Sequence, residues 1–299
     1  MTPTPAIGRP PVRPTPLLLA CALLLAAQAH SDVQVSLVQK HHRADVPAVL
    51  MNNGAMSYDL ALFSKAKGAL DPKGFHLEGV GLFPSKRGWS GIGGFLEIVL
   101  DGKPLLPCPF QIAEMASGPD GVAVLRGQTE AGPLTLTFRA QAMSDCLLLS
   151  VDLPLKKPAK TVEIKMTAYP GEFAKAAAQR KHPLGPMDTR VLTPLGEETR
   201  REGPLDPNKQ YWLFLYDANY DPAKNAVLGG EMCACGILYN PADAKAVSFE
   251  KRPGHVQVTF TLPGGPAGER VTADFALWEF TKSNEDGKRV MQSIVLHRD

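Results

Sequence analysis

The sequence predicts an all-β fold, a large antiparallel β-sandwich with one or two short helices. Two observations support this prediction. Apolar and polar residues alternate over several stretches, as they do in a strand with one face on a core and the other in water. Turn sequences rich in glycine, proline and aspartate separate these stretches at nearly regular intervals. Many short strands with such spacing are typical of a sandwich.

Residues 1–29 are predicted to be a signal peptide. Arg9 and Arg13 give a positive start, and the apolar run at 17–27 is shorter than the ~20 residues that span a bilayer. Ala27-Gln28-Ala29 supplies the small residues of a cleavage site. We therefore expect a secreted or periplasmic protein. A lipoprotein and an uncleaved anchor are the alternatives.

The remaining chain, residues 30–299, is expected to form a single β-sandwich domain. The full sequence has 32 basic and 30 acidic residues, and the leader holds two basic residues and no acidic one. The mature chain is therefore neutral and has no overall attraction for nucleic acid or anionic lipid. No later segment is long and apolar enough to be a transmembrane segment. Neither nucleic acid nor a membrane is expected as a partner.

Half-buried strands are predicted wherever the alternation is clear. It is clearest in PLTLTFRAQA, KTVEIKMTAYP and HVQVTFTLPGG. Five more strands are expected at Val33–Gln39, Gly121–Gly127, Cys146–Leu153, Cys235–Tyr239 and Val271–Phe280.

Two stretches are apolar on both sides and are predicted to be interior strands. Phe95–Leu100 ends in Asp101-Gly102, which is a strong signal for a tight hairpin turn. Tyr211–Tyr216 is aromatic on both faces.

Helices are predicted at Glu172–His182 and from about Glu285. The first segment is rich in alanine, and the second follows a Ser-Asn pair that can cap a helix. Between about 170 and 210 the alternation disappears, which predicts a long excursion from the sandwich.

Four cysteines stay in the mature chain: Cys108, Cys146, Cys233 and Cys235. In an oxidising compartment they allow three disulfide pairings. A direct bond between Cys233 and Cys235 would be strained on one strand. Four buried free thiols are the alternative.

A ligand-binding site is predicted after the Tyr211–Tyr216 strand. Asp217, Asn219 and Asp221 place oxygen atoms at every second position beside Tyr220, where they could hold calcium or sugar hydroxyl groups. A plain turn with Asx residues is the alternative. Trp89, on a glycine-rich loop, could stack on a sugar ring or cover the end of the sandwich.

No cofactor is expected, although calcium at Asp217 and Asp221 is compatible with the pattern. Cleavage after Ala29 would expose His30, whose amine and ring could chelate copper. The pair His41-His42 is not expected to share a metal, because neighbours on an extended chain point to opposite sides. Catalytic residues cannot be assigned, since no nucleophilic triad is evident.

The run GPLTLTFRAQAMSDCLLLSVDLPLKKPAKTVEIKMTAYPGEF, residues 132–173, resembles the galactose-mutarotase-like β-supersandwich of secreted carbohydrate-active proteins. The family's Asn-His epimerase motif has no counterpart here, so the resemblance implies the scaffold rather than that reaction. It implies an exported carbohydrate-related binding protein with a glycan partner. A polysaccharide-active hydrolase, lyase or epimerase-like enzyme and a structural or assembly protein of the cell envelope are the alternatives.

Overall fold

A computed structural model describes residues 32–42, 45–54, 56–64, 69–84, 94–170, 189–217, 234–252, 255–280 and 284–296. Within these ranges the chain is built mostly of antiparallel strands, which confirms the predicted all-β class. The elements are β1 (Gln34–Val38), β2 (Ala48–Asn52), β3 (Ser57–Ser64), β4 (Phe75–Pro84), β5 (Leu96–Leu100), β6 (Lys103–Pro104), β7 (Cys108–Ala116), β8 (Asp120–Gln128), β9 (Pro133–Gln141), β10 (Cys146–Pro154), β11 (Thr161–Ala168), β12 (Thr189–Thr193), β13 (Gly196–Glu197), β14 (Glu202–Leu205), β15 (Trp212–Asp217), β16 (Ala234–Tyr239), β17 (Ala246–Arg252), β18 (His255–Pro263), β19 (Arg270–Phe280) and α1 (Asn284–Gln292).

Strand pairing divides these elements into two layers. The first layer runs β1-β2-β3-β4-β7-β8-β9-β10-β19-β16-β15-β12-β13, each strand antiparallel to the next. The second layer runs β6-β5-β11-β18-β17-β14. The layers are joined where Val80 of β4 pairs with Leu96 of β5.

The core lies between the two layers. Phe260 of β18 packs against Tyr239 of β16 and Phe275 of β19, with ring centroids 5.0 and 4.9 Å apart. The side chains that alternate with Phe260 along β18 are half-buried and polar. This is the two-sided pattern that the alternation predicted.

Both predicted interior strands are confirmed. On β15, Leu213 and Leu215 face the main core, whereas Trp212, Phe214 and Tyr216 face a second apolar cluster. The turn after β5 has positive φ at Asp101 (46°) and Gly102 (80°), which is the geometry of a type I′ hairpin turn.

Helix α1 covers the second apolar cluster. It starts one residue before the predicted Glu285, with Asn284 as its first residue and acidic side chains in the first turn, where they favour the helix dipole. Its Met291 is fully buried beside Phe214 and Phe280. None of the helices formed by the described residues is long and apolar enough to span a membrane.

The predicted excursion at 170–210 includes three described strands. Strands β12 and β13 pair in the first layer, and β14 pairs with β17 in the second. The helix predicted at Glu172–His182 lies outside the described residues.

Candidate functional site

The predicted ligand-binding residues fall mostly outside the described part of the chain. Trp89, Asn219, Tyr220 and Asp221 lie outside it, as do the predicted signal peptide and His30. Asp217 closes β15, where its backbone is opposite Thr189 of β12. The binding role of these residues stays a prediction, and the described structure offers a different candidate site.

That site begins with the polar face of the second layer. Along β11 every second residue is buried in the core, and the residues between them are half-buried polar side chains. The registers place Lys165 of β11 opposite Glu97 of β5, and Thr167 opposite Gln257 of β18. On the next pair of strands, His255 is opposite Arg252. Four neighbouring strands thus present hydrogen-bonding groups on one side.

A cleft of about 440 Å³ opens at one end of this face. Its size falls within the ~300–1,000 Å³ that is usual for ligand pockets. Leu96 and Leu106 provide apolar surface. The other lining side chains carry hydrogen-bonding groups. They come from β4, β5, β11, β17 and β18 and from the residue that follows β11: Glu78, Glu97, Thr167, Tyr169, Arg252, His255 and Gln257.

Two aromatic rings stand together in the cleft wall. The centroids of Tyr169 and His255 are 5.1 Å apart, and the ring planes are tilted by 31°. The distance lies within the ~4.5–7 Å at which aromatic pairs interact favourably. Both residues are half-buried, so the pair adds aromatic ring surface to a polar cleft.

An ion pair holds the guanidinium group of Arg252 at one side of the cleft. Arg252 Nη2 lies 2.7 Å from Glu250 Oε2. The hydrogen bond from Arg252 is the main reason that the pKa of Glu250 is lowered, with the charges of Arg252, Arg201 and His255 adding to it. The same hydrogen bond raises the pKa of Arg252. A guanidinium group carries five N–H donors, so this pair leaves others for a ligand.

The sequence alone did not identify this cleft. Nothing in it indicated that Glu97, Tyr169, Arg252 and His255 would lie near one another. The available signal was the polar half of each alternating strand, and identifying the cleft required the order of the strands.

A second polar cluster lies near the start of β2 and β3. The sequence argument assumed that His41 and His42 lie on an extended chain, and this assumption is wrong, because the two residues lie at a turn. His41 is buried. The histidine rings are 4.5 Å apart, and His41 Nε2 lies 2.9 Å from Asp59 Oδ2.

Two of the cysteines are inert thiols. Cys108 and Cys146 are free, and burial raises their pKa to about 11 and about 12 respectively. Cys235 is fully buried on β16, where burial also raises its pKa. Cys233 lies outside the described residues. A disulfide that uses Cys108 or Cys146 is therefore absent from this structure.

No protein-family model matches the chain, and no curated protein is significantly similar to it. Solved structures that it resembles include a mutant heparan sulfate lyase HepC from Pedobacter heparinus, with a TM-score of 0.48 and 7% identity over 79% of this chain and 36% of the lyase. A putative aldose 1-epimerase from Escherichia coli K12 has a TM-score of 0.41 and 8% identity over 83% of this chain and 99% of that one.

A galactose mutarotase related enzyme from Lactobacillus acidophilus has a TM-score of 0.43 and 10% identity over 79% of this chain and 98% of that one. The last two neighbours are of the kind that residues 132–173 resemble. The chain spans about a third of the length of the lyase.

Proposed function

We propose that the protein binds a saccharide in the cleft on the polar face of the second layer. The observation that carries the proposal is the composition of the cleft, in which carboxylate, amide, hydroxyl and guanidinium groups stand beside the Tyr169–His255 ring pair. Sugar hydroxyl groups both donate and accept hydrogen bonds, and the C–H faces of a pyranose are apolar. A site for such a ligand needs both kinds of surface.

The roles of individual residues follow from their chemistry. Glu97 accepts hydrogen bonds from ligand hydroxyl groups, and Arg252 donates to ligand oxygen atoms. Tyr169 and His255 offer the ring surface against which a sugar face packs. Glu97, Arg252 and His255 sit on paired strands, so they are positioned before the ligand arrives, which reduces the ordering cost of binding.

A glycan array probed with residues 30–299 tests the proposal, followed by calorimetry on each glycan that binds. Glu97→Gln keeps the shape of the side chain but replaces a charged acceptor by a neutral one. Hydrogen bonds to charged groups contribute about 1.5–3 kcal/mol and neutral ones about 0.5–1.5. The difference of about 1–1.5 kcal/mol corresponds to a roughly tenfold rise in Kd.

Glu114→Gln is the matched control, because Glu114 is exposed on β7 and does not line the cleft. Tyr169→Ala should also weaken binding by removing the ring surface. The proposal is refuted if no glycan binds, or if Glu97→Gln and Glu114→Gln bind with the same affinity as the unchanged protein.

A second candidate function is an enzyme that acts on polysaccharide. The observation that favours it is that Glu78, Glu97, Tyr169 and His255 bring several groups able to exchange protons into one cleft. New reducing ends or new double bonds, formed from a glycan that binds, would identify this activity. If the variants Glu97→Gln and Glu78→Gln still form these products, the cleft has no role in the reaction.

The proposal includes export, as the composition of residues 1–29 predicts. The chain would then meet its ligand outside the cytoplasm. Intact-mass measurement of the protein purified from the periplasm or medium of a bacterial host tests this step. The expected species begins at His30, and a recovered species that still begins at Met1 would contradict export with cleavage.

A further inference from the structure

We propose that His41, His42 and Asp59 form a binding site for one divalent transition-metal ion. The three side chains each offer one ligand atom, and these atoms lie within 4.8 Å of one another. The site shares no residue with the cleft, so it stands or falls independently of the proposed function.

The backbone holds two of these residues in place. Asp59 lies within β3, opposite Leu50 of β2 and Phe83 of β4, so strands flank it on both sides. The His41 N–H donates to the carbonyl of Val46, 2.7 Å away, and the His41 carbonyl accepts from the N–H of Asp45, 2.9 Å away. The loop that carries the histidines is thus closed by its own backbone.

The distances suit a metal with short bonds. Two ligand atoms bound at about 2.0–2.1 Å in a tetrahedral site lie roughly 3.3 Å apart. His41 Nε2 and Asp59 Oδ2 are 2.9 Å apart, so a small outward shift admits the ion between them. The ligand atom of His42 lies within 4.8 Å of a ligand atom of each of the other two residues, so an inward movement of about 1.5 Å would bring it to the same spacing.

The environment provides both rigidity and an entry path. His41 and Asp59 are 1% and 5% exposed, whereas His42 is exposed. The Ser57 hydroxyl donates to Asp59 Oδ1, and Phe83 packs against the His41 ring at 5.1 Å. Such outer partners orient metal ligands. The ion would enter from the His42 side, and water would complete its coordination.

The donor set selects the class of metal. Two imidazole nitrogens and one carboxylate oxygen suit zinc, copper, nickel or iron, whereas calcium and magnesium prefer oxygen ligands throughout. Zinc is the appropriate probe, and cobalt is its spectroscopic substitute.

The test uses residues 30–299, stripped of metal with a chelator and titrated with zinc by calorimetry. We expect one equivalent to bind with a Kd in the micromolar range or tighter. His42→Ala should raise this Kd at least tenfold without disturbing the buried His41–Asp59 pair. His76→Ala removes another exposed histidine and should leave the Kd unchanged.

Two further measurements distinguish this site from other donors. Cobalt bound here should give the visible bands of nitrogen and oxygen ligands without thiolate charge-transfer bands, which excludes the cysteines. His30→Ala should keep zinc binding, which excludes the new N-terminus. The proposal is overturned if zinc does not bind below millimolar concentration, if His42→Ala binds as the unchanged protein does, or if only His30→Ala loses the metal.

Discussion

Replacing Asp59 by alanine should markedly destabilise the metal-free protein. The substitution removes the carboxylate that accepts hydrogen bonds from His41 Nε2, at 2.9 Å, and from the Ser57 hydroxyl. His41 and Asp59 are almost completely buried, so water cannot replace the lost acceptor. Breaking a buried pair by removing one partner costs about 3–5 kcal/mol, a large share of the ~5–15 kcal/mol that stabilises a typical protein.

Urea unfolding and calorimetry of residues 30–299 in the presence of chelator would measure this loss. At about 2–4 °C per kcal/mol, the Tm should fall by about 6–20 °C. Asp59→Asn keeps the volume of the side chain and a neutral hydrogen-bond acceptor, so we expect it to reduce stability less than Asp59→Ala does. Asp120→Ala, at an exposed position on β8, should stay within about 0.5 kcal/mol of the unchanged protein.

A double-mutant cycle gives the sharper comparison. The pair His41→Ala and Asp59→Ala should together cost less than the sum of the two single changes, since each single change already breaks the same interaction. If Asp59→Ala costs no more than Asp120→Ala, or if the two single changes simply add, the pair does not stabilise the fold and the reasoning fails.

Three other predictions concern different parts of the protein. At pH 8, native Cys146 should be alkylated about 10³-fold more slowly than in the unfolded protein, because burial raises its pKa to about 12; equal labelling rates by mass spectrometry would contradict this. Burial lowers the pKa of Lys251, so the folded state binds fewer protons than the unfolded state between that lowered pKa and 10.5. The free energy of unfolding should rise with pH in this window, and Lys251→Met should flatten the rise in urea melts. Gly127→Ala would place a methyl group inside the Phe110 ring and should lower the free energy of unfolding in urea by about 1–3 kcal/mol. Gly74→Ala is the control, because open space surrounds this glycine and the free energy should not fall. Identical urea midpoints for the two variants would refute the packing of Gly127 against Phe110.

The strands that the sequence predicted carry their own evidence, whereas β2, β3, β4 and β7 were not predicted. The alternation in β11 and β18 shows which side chains face the core, whatever the neighbouring strands are. The same holds for β15, whose two apolar faces predicted an interior strand with packing on both sides. The Asp101-Gly102 turn was predictable because only a few residue types accept positive φ at both positions.

The two candidate sites were not predictable in this way, because they depend on residues that strand pairing brings together. Glu97 and His255 are far apart in the sequence and meet only because β11 pairs with both β5 and β18. His41 and Asp59 meet because β2 and β3 form a hairpin. For His42 only the local backbone conformation was predicted wrongly, because the chain turns at this residue instead of being extended.

The position of the cleft follows from the way in which β4 changes partners. Its first residues pair with β7 and its later residues with β3, both in the first layer. Toward the second layer it offers only the pairing of Val80 with Leu96, supported by the hydrogen bond from the Phe95 N–H to the Val80 carbonyl. A continuous ladder between β4 and β5 would have closed this seam with backbone. Because the contact is short, Glu78 and Glu97 reach the same opening from different layers. The change of partners that joins the two sheets thus also provides the space in which a ligand can bind.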